Sequence, residues 1–142
     1  MTSLNVSTVA RFRTAVDERD LDAVAPLLAE DVRFFSPVKF RPFEGRPTVL
    51  AVFGVLLSRV FEEFRYVGDL GGMVETSAGD PAESHILVFR AQVAGKQVHG
   101  IDLIQLDGQG RIGEFTVMVR PQSAVTALSD AVLAGLAAEG YA

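Results

Sequence analysis

The chain contains no cysteine and no tryptophan, and only two of its 142 residues are histidine. Without thiols there is no disulfide framework, no thiolate zinc site and no cysteine nucleophile. Positive charge is scarce too: 13 Lys and Arg stand against 18 Asp and Glu, for a formal net charge of -5. These cations are scattered, which argues against a nucleic-acid partner, since phosphate contact needs them clustered. No uninterrupted apolar stretch approaches the ~20 residues of a membrane span. The segment Met1 to Val9 lacks the basic start and apolar run of a signal peptide. The expectation is a cytoplasmic protein with no membrane partner. Gly68, Gly71 and Gly72 lack the spacing and following helix of a phosphate loop and read as a bend or bulge in a strand. No serine stands in a nucleophile-elbow context. With one histidine on each face of the predicted sheet, neither a metal nor a cofactor is expected.

What is present is a core. Apolar residues make up 49% of the chain and charged residues 22%, the balance of a single globular domain spanning 1–142. Ser7 or Thr8 caps a first helix with Val9, Phe12 and Val16 on one face. Asp20 caps a second, short helix carrying Leu21, Val24, Leu27 and Leu28, distorted where Pro26 removes a backbone bond. A strand over Val32–Ser36 is stopped by Pro37, and a loop follows to Arg46. Pro47 opens a third helix whose stripe runs from Val49 through Val52, Phe53, Leu56, Leu57, Val60 and Phe61 to Phe64. The period then changes from 3.6 to 2. Strands are predicted at about Arg65–Val74, Ser84–Val93, Gln97–Leu106 and Ile112–Arg120, joined by short turn sequences that imply antiparallel neighbours. Pro121 ends the last strand and Ser123 caps a final helix bearing Val125, Leu128, Val132, Leu133 and Leu136. The architecture is α+β: a curved, mostly antiparallel sheet wrapped around the helix from about Pro47 to Glu63, open at one end as a cone.

Two residues carry most of the chemistry. Asp102 lies in Gly100-Ile101-Asp102-Leu103-Ile104, bracketed by hydrophobes on both faces of its strand. It reads either as a structural hydrogen-bond acceptor or as an acid on a pocket floor, since a buried carboxylate must be paired or protonated. With Ala94-Gly95 as the tight turn, Asp102 sits opposite Leu87 and diagonal to His85. A His85–Asp102 pair would hold the imidazole in one tautomer as a base; the plainer reading is a pocket-lining or partly exposed histidine. His99 falls on the other face. The predicted ligand-binding residues are Phe12, Phe35, Ser36, Phe53, Leu57, Leu87, Phe89, Ile104, Phe115 and Val117, lining an apolar pocket for a small apolar molecule. Phe40 and Phe43 either pack or lid the cavity mouth, and Lys39, Arg41 and Arg46 beside them are either solvated or an anchor for an acidic ligand. Met118 on the outer face predicts a homodimer through that face.

The stretch from Asp20-Leu21-Asp22-Ala23-Val24 through Leu28-Ala29-Glu30-Asp31-Val32 resembles the helix–strand opening of the nuclear transport factor 2-like superfamily. Gly100 to Ile104 followed by Asp107-Gly108-Gln109-Gly110-Arg111-Ile112 is similar to that superfamily's last hairpin. The group includes ketosteroid isomerases, limonene epoxide hydrolases and SnoaL-like polyketide cyclases. The resemblance to the isomerases implies three functional positions. They use a carboxylate just before a proline on the first strand, a tyrosine on the first helix and an aspartic acid late in the sheet kept neutral by apolar walls. Those positions hold Ser36, Phe12 and Asp102 here, so the acid is retained while base and tyrosine are absent. Steroid-isomerase chemistry is therefore not expected. The epoxide-hydrolase positions correspond to His85, Leu87 and Val117, and Leu87 and Val117 neither activate water nor protonate an epoxide, so that chemistry is not expected. The cyclases use an aspartate beside histidines on one sheet, roles that Asp102 and His85 match in type. The resemblance implies either an isomerase- or cyclase-type proton transfer on a hydrophobic carbonyl ligand or a non-catalytic binding or interaction module.

Overall fold

Residues 2–140 are described by a computed structural model, their side chains from residue 8 onward. Helix α1 (Thr2–Asp17) begins ahead of the predicted cap. Ser7 lies outside the described side chains, and Thr8 does not cap: its hydroxyl donates to the Gly110 carbonyl at 2.7 Å, tying the helix to the β-turn before the last strand. Helix α2 (Leu21–Val24) starts as expected behind Asp20, whose carboxylate accepts from the Ala23 N–H at 3.2 Å. Pro26 then converts the chain to a single 3₁₀ turn, Ala25–Leu27, and strand β1 (Leu28–Phe35) follows directly. The strand starts four residues before Val32 because Leu28 already pairs with Ile112.

A two-residue strand β2 (Phe43–Glu44) pairs with β1 inside the predicted loop. Gly45 turns the chain with φ 92°, a conformation that glycine adopts without steric cost, and helix α3 (Arg46–Val55) follows. Its last turn, Leu56–Val60, widens to π geometry and closes with the Phe61 N–H on the Leu56 carbonyl. The helix therefore ends at Val60 and not at Glu63, which corrects the placement of Phe61 and Phe64 on its stripe. Phe61 is the extended residue that closes the turn, and Phe64 belongs to the entry of strand β3 (Glu62–Glu75). Glu63 has φ 51° and stands in an irregularity of the pairing between Glu62 and Arg65. That extra residue gives the two rings a helix-like spacing of three although the chain is extended.

Strands β4 (Pro81–Val93), β5 (Lys96–Leu106) and β6 (Ile112–Arg120) complete one sheet in the order β2-β1-β6-β5-β4-β3. Every neighbour is antiparallel except β1 with β6, which run parallel. Helix α4 (Gln122–Ala138) is entered from Pro121, and no side chain, Ser123 included, caps it. It crosses α3 closely: a Cβ on Gly135 would come within 2.5 Å of Val55 Cγ1. The sheet curves around the helices, and its inner face carries the buried row Leu87, Phe89, Ile104, Phe115 and Val117. The tip of the β3–β4 hairpin folds over the outer face, where Ser77 donates to Glu114 and Arg33 donates to Ser77.

Candidate functional site

Two groups of aromatic rings stand on the inner side of the sheet. Phe12 from α1, Phe34 from β1, Phe53 from α3 and Phe115 from β6 meet with centroids between 5.1 and 6.0 Å apart. Phe61, Phe64 and Phe89 form the second group, with Phe64 stacked on Phe89 at 4.8 Å and edge-on to Tyr66 at 5.0 Å. Such tilted and edge-to-face pairs stabilise a fixed wall beyond the area they bury. Phe12, Phe34, Phe53 and Phe115 of the first group and Phe61 and Phe64 of the second line one cavity, together with Ser36, Pro37, Leu57, Tyr66, Val117 and, as the only carboxyl among its described lining residues, Asp102. Its free volume is about 50 Å³. One water takes ~10–15 Å³ on that measure, so the resting cavity holds a few waters or a small ligand.

Asp102 is 5% exposed. Strand pairing sets it between Leu87 of β4, the partner anticipated from the Ala94-Gly95 turn, and Val117 of β6. Its carboxylate accepts a 2.7 Å hydrogen bond at Oδ2 from the Tyr66 hydroxyl. Tyr66 stands opposite Phe89, which in turn stands opposite Gly100, so the phenol spans β4 to reach a residue two strands away. Gly100 makes room for this arrangement. A Cβ there would lie 2.5 Å from Phe89 Cζ and 2.7 Å from the Met118 carbonyl, so only glycine lets the Phe89 ring lie flat over β5.

Burial pushes the Asp102 carboxyl up to about 7, with the Tyr66 hydrogen bond pulling in the opposite direction. The Tyr66 hydroxyl is held well above its ordinary value, first by burial and then by the charge and hydrogen bond of Asp102. The phenol therefore stays protonated and acts as donor, while the acid changes form near neutrality. A carboxyl poised there can donate a hydrogen bond when neutral and accept a proton when ionised.

Of the predicted ligand-binding residues, Phe12, Ser36, Phe53, Leu57, Phe115 and Val117 line this cavity beside Asp102. Four do not. Phe35 follows Phe34 on the strand, so alternation turns it to the outer face, where the Arg33 guanidinium stacks on its ring at 5.4 Å. Phe89 is sealed behind Phe61 and Phe64, and Leu87 and Ile104 are fully packed in the core away from the void. The structure also separates His85 from Asp102. His85 pairs with Ile104, and its Nε2 lies 2.9 Å from Glu83 Oε2, two residues back on its own strand. A phenol and not an imidazole partners the acid.

Tyr66 is the residue that sequence reasoning passed over. Extending α3 through Phe64 hid the strand alternation that places Phe64 and Tyr66 on the inner face. Among the loop cations, Arg46 donates twice to the Leu28 carbonyl, at 3.1 and 2.8 Å, and Lys39 Nζ lies 4.0 Å over the Phe43 ring. Both serve the fold. No group of three or more His, Asp or Glu able to hold a metal occurs among the described residues.

The model of the SnoaL-like domain matches residues 9–115. No curated protein matches the sequence. Among solved structures, a steroid delta-isomerase from Pseudomonas aeruginosa is 34% identical, over 96% of this chain and 93% of its own, with a TM-score of 0.81. An uncharacterized bacterial protein with a cystatin-like fold from Silicibacter pomeroyi DSS-3 is also 34% identical, over 94% of this chain and 87% of its own, with the same TM-score. An NTF2-like protein from Cytophaga hutchinsonii, 20% identical over 84% of this chain and 92% of its own with a TM-score of 0.58, shares the fold.

Proposed function

We propose, for a chain that belongs to the SnoaL-like domain family, that its cavity binds a small apolar molecule through one carbonyl oxygen. Asp102 is the group that meets this oxygen and exchanges a proton with the ligand. The observation that carries the reading is the 2.7 Å bond from Tyr66 to a carboxyl buried among phenylalanines. Tyr66 occupies Oδ2, and Oδ1 accepts no hydrogen bond from a described residue while Asp102 lines the void. In its neutral form Asp102 donates from the free oxygen to a ligand carbonyl, in surroundings where that hydrogen bond is strengthened by the low local dielectric. In its ionised form the same oxygen takes a proton from the carbon beside the carbonyl, the C–H electron pair moves toward the carbonyl, and the neutral acid returns a proton to complete an isomerisation or an exchange.

A second reading, binding without catalysis, is favoured by one observation. Ser36 stands just before Pro37 at the cavity wall, where the family's isomerases carry a second carboxylate, and its hydroxyl is engaged by the N–H groups of Val38 and Lys39 at 3.3 and 3.4 Å. A serine hydroxyl is no base at neutral pH. The steroid delta-isomerase from Pseudomonas aeruginosa supports the isomerase reading by its name and its 34% identity.

A single-ring ketone such as cyclohexanone in D₂O separates the two. Binding is followed by titration calorimetry, and exchange by loss of the ketone's α-proton signal. Binding that weakens as pH rises through about 7, with exchange that rises over the same interval and vanishes in Asp102→Asn, supports the catalytic reading. Binding with no exchange supports the module. Ketone binding that is unchanged in Asp102→Leu overturns both. We also propose a homodimer through the outer face, where Met118 is 50% exposed; a monomer at micromolar concentration in analytical ultracentrifugation contradicts it.

A further inference from the structure

Arg13, one residue after the cavity-lining Phe12, is spoken for by neither reading. Its guanidinium carbon sits 5.5 Å from the Tyr66 ring centroid, and its Nη1 donates to Asp69 Oδ2 at 3.0 Å. Asp69 lies three residues beyond Tyr66 on β3, so one side chain of α1 grips the strand at two points. Phe64 meets the Tyr66 ring edge-on, and the phenol oxygen is bonded to Asp102. Ring orientation, and with it the direction of the O–H bond, is therefore set jointly by Phe64 and the cation.

We propose that Arg13 is a positioning residue for the Tyr66–Asp102 pair: stacked on the phenol and anchored by Asp69, it fixes the orientation from which Tyr66 donates to Asp102. The proposal deepens the reading of Asp102 as the functional acid, but its test needs no ligand. A cation on the ring face is attracted to the π-electrons and draws density from the phenol oxygen, making the hydroxyl a better donor. The charges near Tyr66 act in that sense and its opposite: Arg13 favours the ionised phenol, whereas Asp102 on β5 and Asp17 one helical turn beyond Arg13 disfavour it. The residue facing Tyr66 on β4 is Phe89, which is uncharged. Arg13 is thus the one cation acting on the phenol among the described residues. A better-aligned donor stabilises the carboxylate form of Asp102, so loss of Arg13 weakens that bond and raises the pH at which the acid ionises.

The test is a double-variant cycle read by carboxyl carbon NMR of Asp102 in the ligand-free protein. Arg13→Met is expected to move the Asp102 midpoint upward by about half a unit, the scale of a partly exposed cation–π contact. In a Tyr66→Phe background the same substitution is expected to move it little, because the hydroxyl through which Arg13 acts is gone. Asp69→Asn, which releases the anchor and keeps the cation, is expected to give a smaller upward move and serves should Arg13→Met not fold. An Asp102 midpoint unchanged by Arg13→Met and by Asp69→Asn overturns the proposal and leaves Arg13 a tie between α1 and β3. An equal move with and without the Tyr66 hydroxyl also overturns it, since the influence is then through space. Neither result touches the ketone experiment, so failure here and failure of the carbonyl-binding reading are separately visible.

Discussion

Two carboxylates point from neighbouring strands toward the same side of the sheet, Glu83 on β4 and Asp102 on β5. They differ in what meets them. The Glu83 side chain is 27% exposed and faces the His85 imidazole at 2.9 Å, a group that can carry the opposite charge. Asp102 is 5% exposed and faces a phenol held in its neutral form, with Leu87 and Val117 beside it on the neighbouring strands. The first environment tolerates an anion by pairing it and wetting it. The second offers one hydrogen bond against the cost of desolvation, and desolvation dominates, so the acid keeps its proton to about 7. Proximity of ionisable groups is thus a poor guide to which of them is poised for chemistry; the partner's ability to become charged is what decides.

The largest expected effect breaks this contrast at Asp102 itself. Its folded-state value of about 7 lies above the ordinary 3.8, so the folded protein holds the proton more tightly than the unfolded chain. Stability is therefore full below pH 4 and is lost as pH rises to 7, by a few kcal/mol over that window. Asp102→Asn keeps the shape without the ionisation. Thermal melts at pH 4, 6 and 8 should show the variant's advantage over the wild type growing with pH, to about 3 kcal/mol at pH 8. Parallel pH profiles for the two proteins would mean that the acid is hydrated after all.

Next in size is the packing that makes the floor dry. Gly100→Ala drives a methyl into Phe89 and the Met118 carbonyl, and overpacking of this kind costs about 1–3 kcal/mol. Because the displaced ring belongs to the wall beside Tyr66, the Asp102 midpoint should fall as water gains access. Urea denaturation with the same carboxyl signal checks both. Tyr66→Phe is smaller, about 1 kcal/mol for one net hydrogen bond, and of opposite sign in titration: removal of the donor raises the Asp102 midpoint. Gly100→Ala and Tyr66→Phe thus separate the two influences that compete at the carboxyl.

Much of the fold was legible because hydrophobic period and turn chemistry act locally. The four long strands, their turns, the Asp20 cap and the Pro26 distortion all follow from neighbours in sequence. The β4–β5 register followed from the Ala94-Gly95 turn, and with it the placement of Asp102 opposite Leu87. The end of α3 did not follow, because a bulge at Glu63 gives Phe61 and Phe64 helical spacing in an extended chain. That one misplacement hid the partner of Asp102. Tyr66 and Asp102 are 36 residues apart and two strands removed, and their meeting depends on sheet curvature and on the missing Cβ of Gly100. Neither is a pattern in the letters near either residue. The Glu83–His85 pair did not follow either, because the predicted strand began at Ser84 and left Glu83 outside it, whereas β4 starts at Pro81.

The smallest expected effect falls on that pair and tests the contrast from its other side. His85→Gln keeps a hydrogen-bonding side chain of similar reach and removes the imidazole that meets Glu83. Because both groups are partly exposed, the stability change should stay within about 0.5 kcal/mol, the scale of a wetted ion pair. More telling is what should not happen at Asp102. Leu87 stands opposite Asp102, so His85, two residues away on β4, is only its diagonal neighbour, and diagonal neighbours on a sheet lie ~7–8 Å apart. With the imidazole turned to Glu83, the Asp102 midpoint is expected to stay near 7 in His85→Gln. A midpoint that rises instead would show that protonated His85 stabilises the carboxylate across the strand. The two carboxylates would then form one coupled system, and the phenol would be only part of the reason why Asp102 ionises where it does.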